Sequence, residues 1–167
     1  MPFDYEANVA AVRSAMLTRN TTTANPDLSS GLTTRVRNIF ISNPDVNLIR
    51  WNDLPAIYVR VQVGNEEPSG LGATGPQSTN APKFKEVAYE LIGLYARDGA
   101  RTEQDDHETQ IYRLAENLEG VFQREFTLSG TALWCHPERT DFGAFQAGEG
   151  LRVRGIVTTL RAKYFFR

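Results

Sequence analysis

The most regular hydrophobic pattern in the chain is a strict alternation over residues 56–63, AIYVRVQV. Every second position holds a branched apolar residue: Ile57, Val59, Val61 and Val63. In an extended chain, successive side chains point to opposite faces, so these four residues share one face. The alternation therefore predicts a β-strand with one buried face and one face in solvent.

A second and longer strand is predicted over residues 83–97, KFKEVAYELIGLYAR. Its alternation changes phase near Gly93, which predicts a bulge or a sharp twist at that point. Two further strands are predicted, over residues 131–136 and 151–166, with a loop over residues 137–150 between them. The chain thus carries four segments with the pattern of strands.

Three helices are predicted from apolar residues that recur every three or four positions. They span residues 3–18, residues 32–42, and a segment that begins near 102–106 and ends near 125. The last of these has the clearest apolar stripe, and acidic residues crowd its first turn, as the helix dipole favours.

The order helix, helix, strand, strand, helix, strand, strand requires no parallel crossover and predicts an α+β fold. We expect one domain over residues 1–167, with an antiparallel sheet, a long β-hairpin and helices packed on one face. The expected core consists of Val9, Val12, Val36, Ile39, Ile57, Val59, Val61, Leu114, Leu118 and Val121.

Composition narrows the functional classes. The formal net charge is −2, which gives no electrostatic basis for wrapping nucleic acid. One cysteine, Cys135, allows no internal disulfide and predicts a reducing compartment. Neither a signal peptide nor an apolar run long enough to span a membrane is predicted.

The stretch GLGATG, residues 70–75, matches the letters of a dinucleotide-binding fingerprint. That fingerprint works only where a helix opens directly after the glycines, because the phosphate binds free helix N–H groups. Here Pro76 follows at once, and another strand comes next. The context therefore argues against nucleotide binding, and we expect no cofactor.

The glycines instead belong to a long connection, residues 64–82, which we expect to protrude from the predicted hairpin. Hairpin loops are usually far shorter, and long loops tend to be functional or disordered. One hypothesis is that Gly70, Leu71 and Gly72 form the tip of an arm that orders on a neighbouring subunit. The alternative is a loop tip without a function.

No catalytic constellation emerges from the sequence, so we expect neither an enzyme nor a metal site. Cys135 and His136 are neighbours on a predicted strand, and their side chains would point to opposite faces. The other histidine, His107, gives no spacing typical of zinc ligands. The acidic residues around it are better explained as the start of a helix.

Two groups of residues are instead candidates for contacts with other chains. The first is the predicted solvent-exposed face of the sheet, where we expect charges paired across strands or subunits: Arg60, Glu86, Glu90, Arg152 and Arg154. The second is the C-terminal aromatic group: Tyr164, Phe165 and Phe166. Phe165 and Phe166 would point to opposite faces, which leaves one ring outside the core.

The order of elements over residues 56–167 resembles the phage tail terminator family, also called tail-completion or head–tail joining proteins. The resemblance rests on VAYELIGLYAR at residues 87–97, then HETQIYRLAENLEGVF at 107–122 and TLSG at 127–130. The closing strand GLRVRGIVTTLRAKYFF also fits. Two helices before the first strand, and the long Gly-rich connection, depart from the family pattern.

The resemblance implies a non-enzymatic virion protein that is made in the host cytoplasm. Members of the family form a ring, commonly a hexamer, which caps the tail tube and supplies the surface for head attachment. The implied partners are the tail tube protein and a head-proximal connector protein, and DNA would pass through the lumen without sequence-specific contact. The alternatives are another ring protein of the neck or a cytosolic, non-enzymatic binding module.

Overall fold

The computed structural model describes residues 3–45, 48–68, 83–96, 104–146 and 152–166 of the chain. In chain order its elements are helix α1 (Tyr5–Arg19), strand β1 (Asn38–Ile41), a turn of 3₁₀-helix (Trp51–Asp53), strands β2 (Ala56–Pro68) and β3 (Lys83–Ala96), helix α2 (Gln104–Arg124), and strands β4 (Trp134–Gln146) and β5 (Arg152–Phe166).

The strands form a five-stranded sheet in the order β1-β2-β3-β5-β4. All neighbouring strands are antiparallel except β1 and β2, which are parallel. The predicted α+β class is confirmed, as are the first and last predicted helices. The sheet is mixed, however, because β1 joins one edge in the parallel direction.

The prediction of a helix over residues 32–42 was wrong. No helix forms here: after a bend at residues 33–34 the last part of the segment forms β1, whose residues Ile39 and Ile41 pair with Ile57 and Val59 of β2. β-Branched residues lose side-chain freedom in a helix and fit a pleated surface well. These residues pair with the edge of β2, and the spacing of apolar residues within the segment does not reveal that pairing.

Strands β2 and β3 pair antiparallel from Ala56 opposite Leu94 to Pro68 opposite Lys83. Residues 64–68, predicted as the start of the loop, therefore belong to β2. The rest of the predicted arm, including Gly70, Leu71 and Gly72, lies outside the described residues. The long hairpin with a protruding loop thus stays a prediction.

The predicted irregularity at Gly93 is absent, since β3 keeps an unbroken register with β5. The register shift occurs in β2 instead, between Val61 and Val63. The alternation fails near Gly93 because residues 91–96 are buried on both faces. A Cβ at Gly93 would lie 2.9 Å from Cγ1 of Ile156 and 3.1 Å from Cδ2 of Leu114, so glycine permits the close approach of α2.

Strand β4 is longer than predicted and runs through residues assigned to a loop, as far as Gln146. The charged and small residues of β4 do not alternate with apolar residues, so the sequence showed no strand pattern there. Pairing with β5 along the length of β4 compensates for the low strand propensity of these residues. A register shift lies between Pro137 and Arg139. This position is compatible with an edge strand, where a residue without an N–H group costs no ladder bond.

Both helices cover the same face of the sheet, as predicted, and the main core lies between them. Nine of the ten expected core residues are buried there, whereas Val61 is 37% exposed. A second and smaller apolar cluster was not predicted. It lies on the opposite face, where Ile49 and Leu54, from the segment before β2, cover Tyr58, Ile92 and Leu94.

Candidate interaction surface

The open face of the sheet, opposite the helices, is charged where the second apolar cluster ends. Arg60 of β2 and Glu90 of β3 lie directly opposite each other and form an ion pair. Glu90 is 9% exposed, and Arg60 also donates from Nη1 to Oδ1 of Asn43 at 2.9 Å. This pair was predicted, because both residues occupy the polar positions of their strands.

A second ionic group on the open face is centred on Arg161 of β5, which the sequence did not single out. Its Nη1 donates to Oε1 of Glu86 at 2.9 Å, and its Nε donates to Oε2 of Glu138 at 2.7 Å. The bonds to Glu138 and Glu86 raise the pKa of Arg161 above its ordinary value. Arg161 lies directly opposite Ala88 and reaches Glu86 diagonally, and this placement depends on the β3–β5 register, which the sequence pattern does not give.

Arg154 was predicted to lie beside these residues, and this was wrong. It pairs in register with Tyr95, a member of the core under the helices, and its guanidinium forms an ion pair with Glu108 of α2. Arg154 Nε is buried and has no hydrogen-bond partner within the described residues. Side chains alternate between the two faces along β5. Because Gly155 occupies a position on the open face, its neighbour Arg154 lies on the helix-covered face. Arg152 is described only by its backbone, which pairs with Gln146.

The C-terminal aromatic residues divide between the two faces, as alternation predicted. Tyr164 is 2% exposed, and its hydroxyl lies 2.8 Å from that of Tyr89. The Phe166 ring contacts the ring of Phe3, two residues before α1, at a centroid distance of 5.6 Å, so Phe3 covers Phe166. Phe165 points the other way, 5.7 Å from Phe84, and is 44% exposed. It is the ring left outside the core.

The only cysteine is built into the core and not into a reactive site. Burial raises the pKa of the Cys135 thiol to about 12, and the nearby Glu125 contributes in the same direction. Its Sγ lies 3.4 Å from the carbonyl oxygen of Glu125. His136 lies on the opposite face, where its ring is tilted against that of Trp134 at a centroid distance of 5.0 Å. The predicted separation of these neighbours is confirmed, and a thiol of this kind is a poor nucleophile.

Among the described residues, no group of three or more histidine, cysteine, aspartate or glutamate side chains is arranged to hold a metal ion. In the same part of the chain, neither helix has the length and apolar character needed to cross a membrane. The side chain of His107 lies outside the described residues.

Comparison with solved structures gives a match of low similarity, whereas comparison by sequence gives none. No protein-family model and no curated protein matches this chain. A solved structure entitled "Virion of native gene transfer agent (GTA) particle" contains a chain with 10% sequence identity and a TM-score of 0.36. The match covers 98% of the present chain and 100% of the other.

Proposed function

We propose that this chain is a structural protein of a tailed, phage-like virion. Copies of it form a hexameric ring that caps the tail tube and joins the tail to the head. The observation that carries the proposal is the order of elements after the first strand. An extended antiparallel pair (β2 and β3) is followed by one long helix (α2) and by a closing pair (β4 and β5).

This order is the one on which the resemblance to tail terminators was based. The part of the sheet that the helices leave uncovered supports the proposal further. It presents paired charges around Arg60 and Arg161 together with an exposed ring, Phe165. Polar contacts of this kind, mixed with single aromatic anchors, are typical of surfaces that associate while each subunit remains soluble alone.

The expected role is mechanical, with no chemical step. The subunit positions a tube protein on one side and a connector protein on the other, while DNA passes through the lumen. On the open face, Arg60 and Arg161 are paired with carboxylates of the same chain, so these charges attract DNA only weakly.

Deletion and complementation of the gene in the particle-producing strain tests the proposal. Without the protein we expect heads and tails that remain separate in electron micrographs, and wild-type protein added to the extract should restore joined particles. Normal joined particles in the deletion strain would contradict the proposal. The deletion strain could instead yield separate heads and tails that are joined after a known neck protein is added but not after this protein is added. That result would favour a different role in assembly.

A further inference from the structure

Two sides of the molecule, at opposite edges of the sheet, keep large apolar side chains exposed. The first, here called the α2/β4 side, consists of Tyr112, Glu116, Glu119 and Phe142. The second, the β1 side, consists of Arg37, Ile41, Arg50 and Trp51. The strand order places β1 and β4 at the two edges, so the two sides cannot meet within one subunit.

On the α2/β4 side, an aromatic pair is flanked by acidic residues. The rings of Tyr112 and Phe142 meet edge to face at 5.2 Å, and they are 49% and 50% exposed. Glu116 and Glu119 follow Tyr112 along the same stripe of α2, and Glu119 accepts a hydrogen bond of 3.0 Å from Thr140 of β4. In the described part of the chain, neither glutamate forms an ion pair.

The β1 side has the opposite charge. Ile41 is 45% exposed and Trp51 is 39% exposed. Arg37 is exposed, and its Nη1 donates to the backbone oxygen of Asn52 at 3.0 Å. Arg50 is exposed as well, and across the described ranges neither arginine is paired with a carboxylate.

Asp53 is the carboxylate of residues 48–55, and across the described ranges it forms no ion pair with Arg37 or Arg50. Asp53, in the same turn as Trp51, acts on the hydroxyl of Tyr58, whose pKa is raised by burial and by this carboxylate. Arg60 is already paired with Glu90. Each side therefore combines exposed apolar area with unpaired charge, and the two signs are opposite. Such complementarity favours contact between the two sides and disfavours contact of either side with itself.

We propose that the α2/β4 side of one copy of this chain docks on the β1 side of the next copy. The proposal rests on the ring-forming function proposed above and names the surfaces that would close the ring. Because the two surfaces differ, the contact is head-to-tail, and a repeated head-to-tail contact closes into a ring when its rotation permits. Pro137 and the register shift beside it interrupt the first half of the outer β4 edge, so the contact is expected at the half that carries Phe142.

Two charge-reversal variants test the contact. The first double variant, Glu116→Arg with Glu119→Arg, carries positive charge on both the α2/β4 side and the β1 side. The second, Arg37→Glu with Arg50→Glu, carries negative charge on both sides. Arg139→Glu with Asp141→Arg is the matched control, because it exchanges two exposed charges of β4 that pair with each other. Circular dichroism and thermal melting establish that each variant is folded before it is compared.

Sedimentation and native mass measurements then follow assembly against concentration, both in solution and on tail tubes. Each reversal variant alone should need at least about tenfold more protein than wild type to assemble, since like charges would face each other. The control should assemble as wild type does. An equimolar mixture of the two variants should recover assembly, with the variants alternating and an even number of subunits in each ring.

If either folded variant alone assembles as well as the wild type, the proposed contact is wrong, but the proposed function still stands. The same conclusion follows if the mixture of the two variants does not recover assembly. A wild-type protein that neither assembles alone nor binds tail tubes would overturn the proposed function together with the contact.

Discussion

The two faces of the sheet are filled in different ways. Toward the helices, apolar side chains fill most of the face, and Leu114, Leu118 and Phe122 of α2 have no exposed area. The open face is apolar where the second cluster lies, and beyond that cluster it carries the ion pairs of Arg60 and Arg161 and the ring pair of Phe84 and Phe165. The difference indicates that the free energy of folding comes chiefly from the helix-covered face, whereas the open face and the sheet edges remain available to other chains.

The largest effect is expected from a cavity on the helix-covered face. Leu118→Ala should lower the free energy of unfolding by about 2–5 kcal/mol, because it removes buried methyl groups and leaves a void. Urea denaturation measures this change. Glu116→Ala, two positions earlier on the exposed side of α2, should change the free energy by less than about 0.5 kcal/mol. Equal effects would show that α2 does not pack as described.

Alkaline pH should also weaken the helix-covered face. Burial raises the pKa of Tyr89 to about 12, and that of Cys135 to a similar value, while both groups titrate nearer their ordinary values when unfolded. The unfolded state therefore loses these protons first, so stability is complete below about pH 9 and falls as the pH rises toward 12. The loss should be on the order of 3 kcal/mol by about pH 11.

Thermal melting across this pH range checks the expectation. A variant with Tyr89→Phe and Tyr164→Phe should lose less stability between about pH 9 and 11 than the wild type does. An identical pH dependence in the two proteins would show that the buried hydroxyl pair does not cause the loss.

The close approach of α2 to the sheet can be disturbed at one glycine. Gly93→Ala should cost about 1–3 kcal/mol, because the new methyl group would press on Ile156 and Leu114. Gly120→Ala is the control, since its nearest neighbour is Cβ of Pro26 at 3.6 Å, an ordinary contact. In the helix this second change should stabilise by up to about 1 kcal/mol. Denaturant titration of both variants decides the comparison, and a neutral Gly93→Ala would contradict the described packing.

On the open face the effects should be smaller and should differ between the two arginines. Arg60→Met should cost about 1–2 kcal/mol, because the side chain of Glu90 is only 12% exposed and would lose its partner. Arg161→Met should cost less than Arg60→Met, since Glu86 and Glu138 are 24% and 43% exposed and solvent can replace the bond. The reverse order in denaturation experiments would contradict this account of the open face.

The same contrast explains how much of the fold the sequence predicted. Helix α2 buries one face and exposes the other, and β2 alternates regularly in sequence, so both elements were predicted, although β2 continues to Pro68, beyond its predicted end. Residues 91–96 of β3 are buried on both faces, and there the alternation was misread as a bulge at Gly93. Strand β1 is only four residues long and depends on the edge of β2, which lies beyond the reach of a local pattern.

The candidate surface was predicted in part for the same reason. The Arg60–Glu90 pair follows from two adjacent strands with clear alternation, and it was found. Arg161 was missed and Arg154 was placed on the wrong face, because both depend on the phase and the register of β5. The second apolar cluster was also missed, since Ile49 and Leu54 belong to an irregular segment without any period.

Electron microscopy of the purified protein, alone and mixed with tail tubes from the particle, tests the central claim most directly. We expect rings of one diameter, each seated on one end of a tube, with a subunit number that native mass measurement gives independently. Bare tube ends at protein concentrations well above that of the tubes, with the protein remaining monomeric, would contradict the claim that this chain ends the tail.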